Sequence, residues 1–129
     1  MDYHTEDAGN LINPWYAAVD AKVRAAFDGV LDILRATRDW DDPDLYQFKN
    51  FTTGDFVGLS ELRFSIWEKG KVKRRFRPLG IWRPQDREFV LILVCEKSGR
   101  LKKPANAFEL ALAYKAQFDL GKGKIYERT

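Results

Sequence analysis

The chain has 129 residues, of which 45% are hydrophobic and 14% aromatic, and its formal net charge is +3. This length and composition are typical of one packed domain and argue against a disordered chain. The longest apolar run, Phe89–Cys95, is far too short to cross a bilayer. The acidic first ten residues are unlike a signal or transit peptide, and the single cysteine predicts a reduced thiol. We therefore expect a cytoplasmic protein with no membrane partner.

The charge is distributed unevenly along the chain. Residues 1–50 contain five basic and ten acidic side chains, a balance of −5, whereas residues 51–129 contain 17 basic and nine acidic side chains, a balance of +8. The densest part is residues 71–77, where five of seven side chains are cationic. Clustered positive charge is typical of a surface that binds nucleic acid, although a basic surface can also serve solubility alone.

The first fifty residues predict a tail followed by helices. Residues 1–12 lack periodicity and are expected to form a flexible tail, with a short strand at Leu11–Ile12 as one alternative. Asn13 followed by Pro14 is typical of a helix start, and apolar residues then recur at spacings of three and four through about residue 37. Asp20 is a second candidate N-cap, which would divide this region into one short and one long helix.

From residue 59 the apolar period changes to two, which predicts strands. Within residues 59–67 one face carries Leu62, Phe64 and Ile66, and the other carries Glu61, Arg63 and Ser65. Residues 68–71 predict a hairpin turn, after which Lys73, Arg75 and Arg77 share one parity and Val72, Arg74 and Phe76 share the other. Arg74 is therefore expected near a rim or bulge of the inner face. Pro78 cannot donate a ladder hydrogen bond, so it predicts a bulge or an edge position.

The remainder predicts a second hairpin and a closing helix. Residues 84–87 form the turn, residues 88–96 a central strand that is apolar on both faces, and residues 97–104 a loop. A helix from about Asn106 to Phe118 follows, with Asn106 as its cap. Its buried side is expected to carry Ala107, Leu110, Ala111 and Tyr114.

The predicted architecture is an α+β fold. It consists of an N-terminal helix or helical hairpin, a twisted antiparallel sheet of three to four strands, and a C-terminal helix, with the helices on one face of the sheet. One domain spans residues 13–120, and a basic tail covers residues 121–129.

Strand alternation predicts a cationic surface. Arg63, Lys73, Arg75 and Arg77 should lie together on the open face of adjacent strands, close enough for several of them to reach one phosphate. The alternative is a solvated face whose cations protect a sheet edge. Further RNA-binding candidates are Lys71, Trp82, Arg83, Arg100, Lys102 and Lys103, of which Trp82 is the most open candidate for base stacking. Trp67 and Tyr114 could also stack bases, although Tyr114 is better explained as a core residue.

Four segments together resemble a known family. The segments are "GLSELRF", "KVKRRFRPLGIWRP", "REFVLILVCEKSGR" and "NAFELALAYKAQF". In order and spacing they resemble the RelE/HigB-type toxins of bacterial toxin–antitoxin systems, especially their phage-derived branch. The resemblance covers about residues 13–118 and is strongest from residue 59. It implies a RelE-like, microbial-ribonuclease-like fold, cleavage of messenger RNA at the ribosome by attack of the ribose 2′-hydroxyl without a metal or cofactor, and neutralisation by a cognate antitoxin.

The resemblance also implies roles for individual residues. Arg63 stands at the cation of the family's Glu-Leu-Arg strand, Arg77 at the arginine of its aromatic-arginine pair, and Lys97 at the lysine after its apolar strand. Cleavage needs a base, an acid and stabilisation of the phosphorane charge. Arginine keeps its proton, so Arg63 and Arg77 would stabilise charge, while Lys73 or Lys97 would transfer protons.

The sequence departs from the family pattern in three respects. No first strand is evident before the helices, no histidine lies in the body of the domain, and Phe118 stands near a position where some members carry a catalytic tyrosine. The sequence therefore leaves a second interpretation open, in which a catalytically inactive protein of this fold binds RNA or a protein. The carboxylates at residues 39–44 surround a turn without the spacing of metal ligands, so no metal site is predicted.

Overall fold

The structure of the protein is a computed structural model. It describes residues 2–5, 9–40, 42, 45–68, 72–98, 101–121 and 124–126. In chain order the elements are β1 (Asp2–Thr5), β2 (Gly9–Asn10), α1 (Ile12–Ala18), α2 (Ala21–Ala36), β3 (Phe48–Asn50), β4 (Ser60–Leu62), β5 (Phe64–Glu68), β6 (Val72–Arg83), β7 (Glu88–Ser98), β8 (Leu101–Lys103), α3 (Ala107–Asp119) and β9 (Lys124–Tyr126). The α+β class predicted from the sequence is confirmed. Within the described residues, no helix is both long and apolar enough to span a membrane.

Two consecutive helices precede the main hairpins. The Asp20 carboxylate accepts a hydrogen bond from the Val23 backbone N–H at 3.0 Å, so the predicted division into a short and a long helix is confirmed. The first helix begins at Ile12 rather than after Asn13, and the alternative of a strand at residues 11–12 is wrong. Pro14 is tolerated at the third helical position because the first N–H groups of a helix have no acceptor within it.

A single sheet contains all nine strands of the described residues, in the order β2-β1-β7-β6-β4-β3, with β5 on β6, β8 on β7 and β9 on β1. The pairing of β1 with β7 is parallel, and the other pairs are antiparallel. The sheet is thus larger than the three or four strands predicted. Short strands at residues 2–5 and 124–126, in segments expected to be tails, pair with each other. Such short segments carry little periodicity, which is why the sequence did not indicate them.

The helices cover both faces of the sheet, which corrects the prediction that they share one face. One core cluster joins α1 and α2 to a face that we call the α2 face, through residues such as Phe27, Phe64 and Phe76. A second cluster joins α3 to the opposite, α3 face, through residues such as Leu79 and Tyr114. The strand β7 is buried on both faces, so it requires a covering layer on each side.

The register of β6 on β7 contains one irregularity. Leu79 pairs with Leu93, but Gly80 pairs with Leu91, so Ile92 is an extra residue on β7. Ile92 and Leu93 consequently both belong to the core cluster of the α3 face, although they are consecutive. Pro78 lies one residue before this bulge, where β6 changes partner from β5 to β4, in agreement with the prediction for a proline.

Candidate nucleic-acid interface

One part of the α3 face is cationic. The core cluster beneath α3 ends at Leu79 of β6 and Cys95 of β7. Beyond these residues the same face carries a set that we call the basic face: Arg63, Lys73, Arg75, Arg77 and Lys97. Register explains the grouping, because directly opposed residues of antiparallel strands share a face. Ser65 lies opposite Arg75, which lies opposite Lys97, and Trp67 lies opposite Lys73.

Three cations of the basic face have no acidic partner within the part of the chain that the structure describes. Lys73 and Arg75 are exposed and Lys97 is half-buried. No carboxylate among the described residues forms an ion pair with any of the three. Like charges directly opposed on adjacent strands destabilise a sheet. The pairing of Arg75 with Lys97 is therefore an arrangement that a bound anion would stabilise.

The other two cations share one carboxylate. Arg63 lies between β4 and β5, where its backbone N–H donates to the Gln47 carbonyl at 2.9 Å. Its Nε donates to Glu61 Oε1 at 3.0 Å, and Arg77 Nε lies 4.0 Å from the same oxygen. Arg77 also donates to the Phe76 carbonyl at 3.0 Å. The Glu61 carboxylate thus compensates charge on the two arginines that the family resemblance places in catalysis.

Arg74 behaves in the opposite way from its neighbours. It lies on the α2 face, as its parity predicts, and donates to Glu68 at 2.8 Å and to Glu96 at 2.5 Å. These hydrogen bonds, the one to Glu96 above all, raise the pKa of the Arg74 guanidinium. Alternation along β6 therefore separates Arg74, which binds two carboxylates, from Lys73 and Arg75, which bind no carboxylate of the described residues.

Two exposed aromatic side chains accompany the basic face. The Trp67 side chain is 55% exposed, and Lys73 Nζ lies 5.7 Å from its ring centroid. Tyr46 is 54% exposed, and the Arg63 guanidinium lies 5.7 Å from its ring. Exposed rings beside cations can stack unpaired bases while the cations hold phosphates. Sequence reasoning missed Tyr46, because it precedes β3 in a segment without alternation.

Several predicted binding residues lie elsewhere. Trp82 lies on the α2 face and stacks on Trp40 with ring centroids 4.1 Å apart, so it is separated from the basic face. Arg83 is paired with Asp86 and Glu88. Tyr114 belongs to the core under α3, where burial raises the pKa of its hydroxyl above the ordinary value.

The remaining candidates come from the β7–β8 region and the hairpin turn. The backbone of Lys102 pairs with that of Lys97, next to the basic face, whereas Lys103 pairs with Glu96. Lys71 and Arg100 lie outside the described residues. The sequence thus identified the five cations of the basic face and three further positions that the structure places apart from it, Trp82, Arg83 and Lys103.

Comparison with known proteins adds no assignment. No protein-family model, curated protein or solved structure matches this chain. Within the described residues, no group of three or more His, Cys, Asp or Glu side chains could hold a metal ion. The basic face is therefore the observation that bears most directly on function.

Proposed function

We propose that this protein is an endoribonuclease of the toxin type, which holds messenger RNA across the basic face and cleaves it at the ribosome. The observation that carries the proposal is the in-register set of Lys73, Arg75 and Lys97 beside exposed Trp67, since these cations have no acidic partner among the described residues. Unpaired cations attract phosphates, and an exposed ring stacks bases that are not paired in a duplex. Single-stranded RNA is the polyanion that offers both groups at once.

The proposed chemistry follows the roles that the resemblance implies. Arg75 holds the RNA backbone, while Arg63 and Arg77 stabilise the charge that develops on the phosphorane. Lys73 and Lys97 are the candidates for transfer of the 2′-hydroxyl proton. The reaction forms a bond from the 2′-oxygen to phosphorus and breaks the bond to the 5′-oxygen, leaving a 2′,3′-cyclic phosphate and a 5′-hydroxyl. A neutralising antitoxin is the protein partner that the resemblance implies.

A further feature supports the resemblance. The family pattern includes a strand before the helices, and no such strand is evident in the sequence. The strand β1 supplies one, and it pairs with the central strand β7. This agreement in element order supports the proposal without depending on any side chain of the basic face.

A second candidate function has its own observation. The Glu61 carboxylate compensates charge on Arg63 and Arg77, and the side chain of Arg77 is only 11% exposed. Both arginines must contact the reacting phosphate if they are catalytic. A protein that binds RNA through Lys73, Arg75 and Lys97 but does not cleave it fits this pairing equally well.

Binding is tested with one matched pair of variants. Arg75→Ala removes an exposed cation of the basic face, and Arg38→Ala removes an exposed cation from the opposite side of the sheet. Fluorescence anisotropy with a labelled single-stranded RNA at several salt concentrations should show weaker binding only for Arg75→Ala. The slope of log affinity against log salt should fall by about 0.7 for each lost phosphate contact. Equal effects of the two substitutions would reject the basic face as the binding surface.

Cleavage is tested separately. Induced expression of the wild-type chain should arrest growth, and ribosome-bound messenger RNA should acquire 2′,3′-cyclic phosphate ends. Arg77→Ala and Lys97→Ala should abolish both effects while circular dichroism shows a folded protein. Unchanged RNA binding without arrest or cleavage by the wild-type chain would reject the nuclease and establish the binding module.

A further inference from the structure

A cavity of about 630 Å³ lies on the side of the sheet opposite the basic face. It is lined by the second half of α2, the hairpin between β6 and β7, and Trp40. Its apolar lining residues include Leu31, Leu34, Leu62, Phe89, Trp40 and Trp82, and charged side chains line the rest of it. Cavities of a few hundred to about a thousand Å³ that combine apolar walls with a few polar groups are the usual size for small-molecule sites.

The mouth of the cavity carries excess positive charge. Two carboxylates line it, Asp86 and Glu88, but both are bound by Arg83 at 3.1 Å, so their charge is compensated. Arg38 and Arg87 also line it. Neither forms an ion pair with an acidic side chain of the described residues, and the one acceptor of Arg87 is the neutral Thr37 carbonyl at 2.7 Å.

The cavity is fixed in shape by two sets of contacts. The rings of Trp40 and Trp82 are nearly parallel, at 7°, and Trp40 Nε1 donates to the Leu34 carbonyl at 3.0 Å. Arg87 has φ of 51°, a left-handed conformation that is uncommon for residues other than glycine. Its bond to Thr37 joins the β6–β7 turn to the end of α2. Strained backbone held by such contacts is characteristic of ligand-binding positions.

We propose that this cavity is a binding site for a small aromatic anion. The aromatic body would lie against the tryptophan and leucine walls, and its carboxylate, sulfonate or phosphate group would be held by Arg38 and Arg87 at the mouth. Charge complementarity selects the anion, because neither Arg38 nor Arg87 has an acidic partner within the described residues, whereas Arg83 binds both Asp86 and Glu88. The site lies across the sheet from the basic face, so it does not depend on the proposed function.

The test uses the fluorescent dye anilinonaphthalene sulfonate and its uncharged analogue phenylnaphthylamine. The anionic dye should bind wild-type protein saturably with a stoichiometry of one, and RNA should not displace it. Arg38→Gln should lower the affinity for the anionic dye about tenfold, as expected for the loss of one charge-assisted contact. The affinity for the neutral dye should be unchanged. The matched control is Arg24→Gln, which removes a cation of α2 that does not line the cavity and should change the affinity for neither dye.

A second variant tests the location. Leu31→Trp places a larger side chain in the cavity and should abolish binding of both dyes, with near-UV circular dichroism as the check on folding. The proposal is overturned if the dye binds without saturation, if RNA displaces it, or if Arg38→Gln and Arg24→Gln have the same effect. It is also overturned if the folded Leu31→Trp protein binds the dye as the wild type does.

Discussion

Replacement of Glu61 by glutamine should change stability and RNA affinity in opposite directions. The amide keeps the size and shape of the side chain, so no cavity forms, but it removes the charge shared by Arg63 and Arg77. The two arginines then lose a partner in the folded protein. They also gain freedom to contact phosphate, so the same substitution should strengthen binding of RNA at low salt.

The magnitudes follow from the burial of the three side chains. Loss of one member of a fully buried ion pair costs about 3–5 kcal/mol. The Glu61 side chain is 8% exposed and that of Arg77 is 11% exposed, but that of Arg63 is 25% exposed and regains water. We therefore expect a loss of about 1–3 kcal/mol in the free energy of unfolding. Two additional phosphate contacts would steepen the slope of log affinity against log salt by up to about 1.4.

Urea unfolding and RNA anisotropy between about 50 and 200 mM salt measure the two quantities. The reasoning is refuted if affinity falls together with stability, or if the salt slope is unchanged, because Glu61 would then not be competing with phosphate for the arginines. Cleavage by the same variant separates the two candidate functions. A nuclease whose arginines are positioned by Glu61 should lose rate while it gains affinity, whereas a binding module changes only in affinity.

Four further predictions concern the fold. Gly80→Ala should destabilise the protein by about 1–3 kcal/mol in urea unfolding, because a Cβ at this position would overlap the Val90 carbonyl oxygen. Gly29→Ala, where a Cβ meets nothing within 4 Å on α2, should stabilise it by about 0.5–1 kcal/mol, and a loss there would contradict the argument from space. Arg74→Ala should cost about 1–3 kcal/mol by leaving two carboxylates unpaired, with little effect on RNA binding. Burial raises the pKa of the Tyr114 hydroxyl above the ordinary value of 10.0. The stability that the buried, protonated hydroxyl contributes to the folded protein is therefore complete below that pH and is lost as the pH rises through the folded-state pKa. Tyr114→Phe should therefore lose less stability than wild type between about pH 9 and pH 11, and one tyrosinate fewer should appear in the absorbance titration.

Local alternation could be interpreted from the sequence because each residue of a strand fixes the face of the next. The shared face of Arg63, Lys73, Arg75 and Arg77 follows from period two and from one hairpin turn, and the register of β5 on β6 confirms it for Lys73 and Arg75. The position of α3 on the face opposite α2 is also indicated by the sequence. Because residues 88–96 are apolar on both faces, they require a covering layer on each side.

Contacts between distant segments could not be derived in this way. The stacking of Trp82 on Trp40 depends on where the end of α2 meets the β6–β7 hairpin, which no local pattern specifies. Glu61 shares the parity of Arg63, so the sequence placed it on the correct face. Its approach to Arg77 depends on the register of β4 on β6, and that register is set by packing of the whole sheet.

The single extra residue of β7 determines which charge the end of that strand presents to each side. If β7 continued past Leu91 without the bulge, Ile92 would pair with Leu79, and Glu96 would then lie opposite Arg75 and Lys97 opposite Arg74. The bulge therefore places a base instead of an acid on the basic face, and an acid instead of a base beside Arg74. The charge that this end of β7 presents to each side thus depends on one residue of register, without a change in any charged residue.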